Sequence, residues 1–245
     1  MIDKRTIHLY NDNIGSVSLI DSMGTDLTVV NSARVSFGVE KDQLDEKDKK
    51  LVNYLIKHKH TSTLEHNLIT FKFVVPLFVR SQHHRHRTWS YNEISRRYTD
   101  KDLRFYEAHA FRTQHKSNRQ SSNPDEMINP ILEIYDPACA VPFKITAQKR
   151  IRLHHRDCMK LFDELLAAGV CREQARGVLP QNLYTEYYGT VNLNNLLKFI
   201  DLRTHEGAQW EIQKLAEACL EIATDPFPVT VQSYRRLRYD KAKPT

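Results

Sequence analysis

Leu68-Ile69-Thr70-Phe71-Lys72-Phe73-Val74-Val75-Pro76-Leu77-Phe78 is the stretch on which the fold turns. Ile69, Phe71 and Phe73 alternate with Thr70 and Lys72 before the apolar pair Val74-Val75. That period of two predicts a strand with one face in a core. Pro76 cannot donate to a ladder, which predicts an edge strand or a bend at the strand's end. The strand leads into Arg80-Ser81-Gln82-His83-His84 and then Arg85-His86-Arg87-Thr88-Trp89-Ser90-Tyr91-Asn92-Glu93-Ile94-Ser95-Arg96-Arg97. A strand-to-helix arrangement would set these polar groups at the end of a rigid scaffold.

Residues 85–97 carry four arginines, a histidine, a carboxylate, an amide and two serine hydroxyls. Planar guanidinium forks suit phosphate and carboxylate oxygens. Glu93 can accept from an N–H or a sugar hydroxyl, or hold one arginine in place. On a helix, Arg85, His86 and Arg87 would fan around the backbone, while Gln82, Arg85 and Trp89 share one face and Glu93 and Arg97 another. The stretch then serves two ligands, or one ligand and a subunit boundary. A solvated basic run, or an arm that contacts nucleic-acid phosphates, fits the charge alone equally well.

Around this centre the chain is ordinary in composition. Of 245 residues, 40% are hydrophobic and 27% charged, and seven glycines and nine prolines mark no interdomain break. One domain over residues 1–245 is expected, with a polar loop at about 99–124 and a basic tail at about 235–245. The net charge of +6 suits anionic ligands without choosing among them. No apolar run nears the ~20 residues of a membrane span, and no signal-peptide core is present. Cys139, Cys158, Cys171 and Cys219 form no C-x-x-C pair, so a reducing cytoplasm and packing roles are expected.

Outward from the central stretch, Ile7–Leu9 and Gly15–Ile20 read as a hairpin and Asp26–Ala33 as a helix leading into Arg34-Val35-Ser36-Phe37. Asp45–His58 is an amphipathic helix carrying Leu51, Tyr54 and Leu55. The polar turn His60-Thr61-Ser62-Thr63-Leu64-Glu65-His66 follows, and its spacing matches no standard zinc pattern. Adjacent His83 and His84 diverge in direction and are not a ligand pair. Residues 98–124 read as a mobile polar loop. A helical region then runs from Asn123-Pro124, with breaks near Pro137 or Pro142, to about Ala168, its core face Ile151, Cys158, Leu161, Phe162 and Leu165. Gly169 closes it. Arg172–Asn182 holds a short helix ending before Pro180, Leu183–Val191 is a strand, Asn192–Leu202 a helix capped by its asparagine, and Ala208 onward a last long helix.

The pattern R-H-R-x-x-S-x-N-E-x-S-x-R at 85–97 resembles the signature of the flavin-dependent thymidylate synthases, with every fixed position filled. The turn at 60–66 is similar to the family's H-x-T-x-x-E-H turn, with Ser62 at the threonine position. E-x-A-R-x-x-L-P at 173–180 and L-R-x-x-x-x-A-Q-x-E-I from Leu202 resemble two further segments, in matching order. Two departures stand out. Gly207, with His205 nearby, occupies a position where some relatives have histidine, and Asn194 one where some have arginine.

The resemblance implies an α+β fold, a mostly antiparallel sheet packed against long helices, assembled as a homotetramer with active sites shared between subunits. It implies reductive methylation of dUMP to dTMP with 5,10-methylenetetrahydrofolate as carbon donor, FAD as hydride carrier and NADPH as reductant. Arg203 matches the catalytic arginine. Gln82, Arg85, Glu93, Ser95, Arg97, Arg176 and Arg203 match dUMP-binding positions. Ser36, Ser62, Glu65, Arg85, His86, Arg87, Glu93, Asn192 and Asn194 match FAD positions. No cysteine lies in the proline-cysteine-histidine context of the cysteine-nucleophile thymidylate synthases, and Ser95 lacks a sequence-evident activating base. The competing readings are a nucleic-acid-binding protein, whose affinity would fall steeply with salt, and a zinc hydrolase, for which no ligand set is recognisable.

Overall fold

In a computed structural model, residues 5–135 and 142–242 are described. The alternation at 68–76 becomes strand β3 (Leu68–Pro76), with Ile69, Phe71, Phe73 and Val75 buried and the residues between them half-buried. It is an interior strand. The sheet order is β1 (Thr6–His8), β2 (Ser16–Met23), β3, β9 (Tyr184–Asn192), β4 (Ser90–Glu93). The pairs β1–β2, β2–β3 and β4–β9 are antiparallel. Pro76 therefore marks a bend and not an edge. It is the last residue of the ladder, and helix α3 (Leu77–His83) begins directly after it.

The chain divides into two compact units. The first comprises residues 1–75, 79–93 and 186–245, and the second 76–78 and 94–185. In the first, α1 (Asp26–Arg34) opens on a Thr25 capping box, and α2 (Glu46–Lys57) on one formed by Asp45 and Asp48. The buried face of α2 is Val52, Leu55 and Ile56, whereas Tyr54, expected inside, is exposed. The polar turn contains a 3₁₀ segment, Thr61–Leu64. Helix α6 (Leu193–Arg203) starts where Asn192 Oδ1 accepts from Asn195 N at 2.9 Å, and it buries Leu193, Leu196, Leu197, Phe199 and Ile200. Helix α7 (Trp210–Ala223) packs on α6 and β2 through Ile212, Leu215, Ala216 and Cys219. Each large apolar side chain of this kind contributes roughly 1.5–3 kcal/mol by leaving water. Helix α8 (Pro228–Tyr234) meets α1 through buried Asp26, which accepts from Val229 N, Thr230 N and Thr230 Oγ1 at 2.6–2.9 Å. The basic tail continues as a π-helical turn, Arg235–Tyr239, and a short helical end, Asp240–Ala242.

The second unit departs most from expectation. Where a polar loop and then a helix were expected, it has hairpins β5 (Phe111–Gln114)–β6 (Ser122–Ile128) and β7 (Ile131–Ile134)–β8 (Phe143–Thr146). Asn123-Pro124 and Asn129-Pro130 explain the failure of the helix: each proline lacks an N–H and biases its predecessor away from αR. The helix begins only at α4 (Ala147–Ala167), capped by Thr146, and Gly169 follows it at φ +87°. Its buried residues are Ala147, His155 and Phe162, while Leu161 is exposed, contrary to expectation. The short helix α5 (Arg172–Ala175) and the turn Arg176–Val178 follow. Cys219 is buried and Cys158 half-buried, but Cys171 is exposed, so packing does not explain it. The expectation for Cys139 lies outside the described residues, as does that for Pro137. No described helix is long and apolar enough to cross a membrane.

Candidate active site

Arg203 closes helix α6, and two contacts hold it. Its Nε donates to His86 Nε2 at 2.9 Å, and its Nη2 donates to the Gln82 carbonyl at 3.2 Å. A guanidinium has five N–H donors and no acceptor. Nε and one Nη2 hydrogen are thus engaged along one side, leaving the Nη1/Nη2 end of the fork for a ligand. Burial lowers the Arg203 pKa from the ordinary arginine value, though the group stays cationic.

The central motif is not a single helix. Helix α3 ends at His83, residues 84–89 turn, and Ser90–Glu93 join the sheet as β4. The divergence of the three motif residues survives in the turn: Arg85 and Arg87 are exposed, and His86 between them is half-buried. Neither arginine side chain has a hydrogen-bonding or ion-pair partner among the described residues. Tyr91 Oη donates to the carbonyls of His83 (3.0 Å) and His86 (3.2 Å), pinning the turn. His83 is fully buried; its Nδ1 lies 2.9 Å from Tyr187 Oη, and its Nε2 has no partner among the described residues. Burial, then the charges of His86, His84 and Arg203, hold its pKa well below the usual histidine value. Phe73, Trp89, Tyr187 and Phe199 surround its ring. Gly189 admits this packing, since a Cβ there would lie 2.9 Å from Phe73 and 3.2 Å from Trp89.

Gln82 Nε2 donates to Gln209 Oε1 at 2.5 Å, and Gln209 Nε2 to Glu211 Oε2 at 2.8 Å. Glu93 accepts from Arg80 Nε at 3.0 Å, the arginine-holding option of the two open to it. Asn194, 3% exposed, donates to Glu65 Oε1 at 2.7 Å. Ser36 and Ser62 are exposed. A cleft of about 790 Å³ opens beside Val35 and His66, the neighbours of Ser36 and Glu65, with Thr28, Asn31, Ser32 and Val39 also on its wall. His205 Nδ1 accepts from Gly207 N at 3.1 Å.

In the second unit, Arg97 and Arg176 meet at α5, with Ser95 beside Arg97. Arg97 pairs with Glu173 at 3.0 Å, its backbone N–H points at Ser95 Oγ (3.3 Å), and Arg176 Nε donates to the Glu173 carbonyl (3.3 Å). Both guanidiniums are exposed. Sequence reasoning missed the roles of Arg80, His83, Tyr91, Tyr187 and Gln209. Only Gln209 left a signal, as the fixed glutamine of A-Q-x-E-I.

The chain belongs to the thymidylate synthase complementing protein family, which it matches over residues 18–229. It is an enzyme of the flavin-dependent thymidylate synthase class, a methyltransferase. Flavin-dependent thymidylate synthases from Thermotoga neapolitana and Thermus thermophilus are 40% and 41% identical to it over 226 and 217 residues. These alignments cover 92% and 88% of this chain and 93% and 73% of the relatives. Among solved structures, a UMP/dUMP methylase from Streptomyces cacaoi bound with 5-Br dUMP superposes with a TM-score of 0.76. That pair is 31% identical, over 94% of this chain and 97% of the other.

Proposed function

We propose that the chain makes dTMP by reductive methylation of dUMP, with 5,10-methylenetetrahydrofolate as carbon donor, FAD as hydride carrier and NADPH as reductant. The observation that carries this reading is Arg203, anchored on one side with no partner for the other end of its fork among the described residues. Uracil C5 is a weak nucleophile. A cation paired with the N3/O4 edge stabilises negative charge developing on the ring as C5 attacks the one-carbon unit. Fixed charge in a partly dry site does this without reorganisation. Gln82, Arg85 and Glu93 complete the nucleotide-recognising set of that unit. Ser95, Arg97 and Arg176 form an anion-binding group suited to a monophosphate.

The donor set also fits a flavin dinucleotide. Arg85 and Arg87 are exposed cations without an anionic partner among the described residues, which suits pyrophosphate recognition. Ser36, Ser62, Glu65, His86, Glu93, Asn192 and Asn194 are the remaining residues proposed to hold it. When bound, FAD supplies the hydride that completes the methyl group. Outward-facing Val35 and Phe37, 73% and 83% exposed beside Ser36, favour a homotetramer in which a second copy covers this edge. The proposed location is the cytoplasm, in keeping with four cysteines that form no C-x-x-C pair.

The test is an absorbance spectrum of the purified protein, anaerobic titration with dUMP, and a dTMP assay, with sedimentation to give the assembly state. A flavin band perturbed by dUMP is expected. Arg203→Ala should bind flavin yet lose methylation. Full dTMP formation by that variant would remove Arg203 from its role, and no flavin uptake even with added FAD would sink the whole reading.

A further inference from the structure

We infer that His86 and Tyr91 are positioning residues for Arg203: Tyr91 fastens the 83–86 turn, and a neutral His86 ring fixes the rotation of the guanidinium. This rests on the role proposed for Arg203. Because a guanidinium only donates, the 2.9 Å contact from Arg203 Nε requires His86 Nε2 to be unprotonated, which puts the ring proton on Nδ1. The Gln82 carbonyl takes the neighbouring Nη2 hydrogen. Together the two acceptors occupy the Nε/Nη2 side and turn the Nη1/Nη2 end outward. An arginine side chain free to rotate would present that end only part of the time.

The ring is itself held. Phe199 and Arg203 are four residues apart and so share a face of α6. The His86 ring meets Phe199 edge-on, with centroids 4.8 Å apart at 89°, while its Nε2 takes Arg203. Tyr91 shares its one hydroxyl proton between the His83 and His86 carbonyls. Tyr91 is seated in β4 opposite Gly189, its ring parallel to Trp89 (5°, 6.2 Å) and 4.1 Å from His84. The sheet therefore supports the turn, the turn supports the imidazole, and the imidazole orients the cation. The charged and titratable groups facing His86 are Arg203 and His83, whose ring centroid lies 6.3 Å away. Protonation of Nε2 would replace the acceptor with a donor pointed at a cation. Burial first, and then the Arg203 charge, hold the His86 pKa down at about 4, so the contact stays intact at neutral pH.

The experiment compares FAD-loaded wild-type enzyme with His86→Leu, His86→Gln, Tyr91→Phe, Arg203→Ala and the His86→Leu/Arg203→Ala double variant. It measures kcat, the KM for dUMP and the Kd for FAD. At saturating FAD, where any loss of the flavin contact proposed for His86 is made up, His86→Leu is expected to lower kcat about 10- to 100-fold, the scale of a misplaced catalytic group, with KM changed little. His86→Gln, whose amide oxygen can accept from Nε, should recover most of the loss. Tyr91→Phe, which removes a single oxygen, should lower kcat several-fold with flavin retained. It carries the test if His86→Leu does not fold. The double variant should be no slower than Arg203→Ala alone.

The proposal is overturned by a wild-type kcat in His86→Leu or Tyr91→Phe. It is equally overturned if saturating FAD restores His86→Leu, or if His86→Gln is no better than His86→Leu. Full methylation by Arg203→Ala would instead bring down the underlying reading, so the two failures are told apart.

Discussion

At the scale of single residues, the site separates cations that are already occupied from cations that are not. Arg80 is tied to Glu93, Arg97 to Glu173 and Arg203 to His86, whereas Arg85 and Arg87 extend from the same turn without a partner among the described residues. An exposed, unpaired side chain contributes little to folding, and surface substitutions of this kind change stability by about 0.5 kcal/mol or less. Arg85→Ala and Arg87→Ala should therefore unfold in denaturant within that margin of the wild type. Each should bind FAD at least about tenfold more weakly, the effect of losing one charge-assisted contact. Denaturant midpoints and flavin titration check both halves. Unchanged flavin affinity in both variants would remove the pyrophosphate assignment.

At the scale of elements, strand β9 connects the sheet to helix α6. Its Gly189 is paired with Tyr91, and Asn192 at its end caps α6, the helix that ends in Arg203. The approach at Gly189 is tight because Phe73 and Trp89 cover the place a Cβ would take. Gly189→Ala forces those rings to shift, a form of overpacking that costs about 1–3 kcal/mol. Because Trp89 ends the 84–89 turn, turnover should fall along with stability. A thermal melt and a kcat measurement on the same preparation test this, and a variant as stable as wild type would show that the aromatic cluster yields freely.

At the scale of the whole molecule, the acid limit of stability follows from groups of opposite kind. His83 and His86 have pKa values below that of an unfolded histidine, about 6.5, because burial disfavours their charged forms. Between roughly pH 6.5 and the folded value of about 4 for His86, the unfolded chain binds more protons, so stability is full above that window and falls as pH drops through it. Asp48 acts lower. Burial alone would raise its pKa, but hydrogen bonds from Lys41 and Arg34, both 2.5 Å, and from the Asp45 backbone outweigh that and depress it. Its contribution is present above the unfolded carboxylate value and is lost as pH falls below about 4. Denaturant midpoints should thus decline in two stages, from about pH 6.5 to 4 and again below 4, and His86→Gln should flatten the first stage. A midpoint constant from about pH 7 to 4.5 would contradict the histidine part.

The sequence by itself determined what is local or what is matched as a motif. The period of two made β3, Asn192 and Asp45 capped their helices, and the 85–97 motif with its two companion segments identified the family. It did not reveal the β5–β6 pair, because those strands are largely polar and no alternating apolar face marks them, nor the β7–β8 pair, whose four-residue strands are too short for a period of two to stand out. Nor did it reveal the contacts that make the site. Arg80–Glu93, Arg203–His86 and Gln82–Gln209 join residues 13, 117 and 127 positions apart. Periodicity and capping act over a few residues, whereas these pairs exist only because the sheet order brings β4 beside β9 and α6 back against the turn after α3. Tertiary structure alone decided that His86 is half-buried against Arg203 while its two neighbouring arginines are exposed.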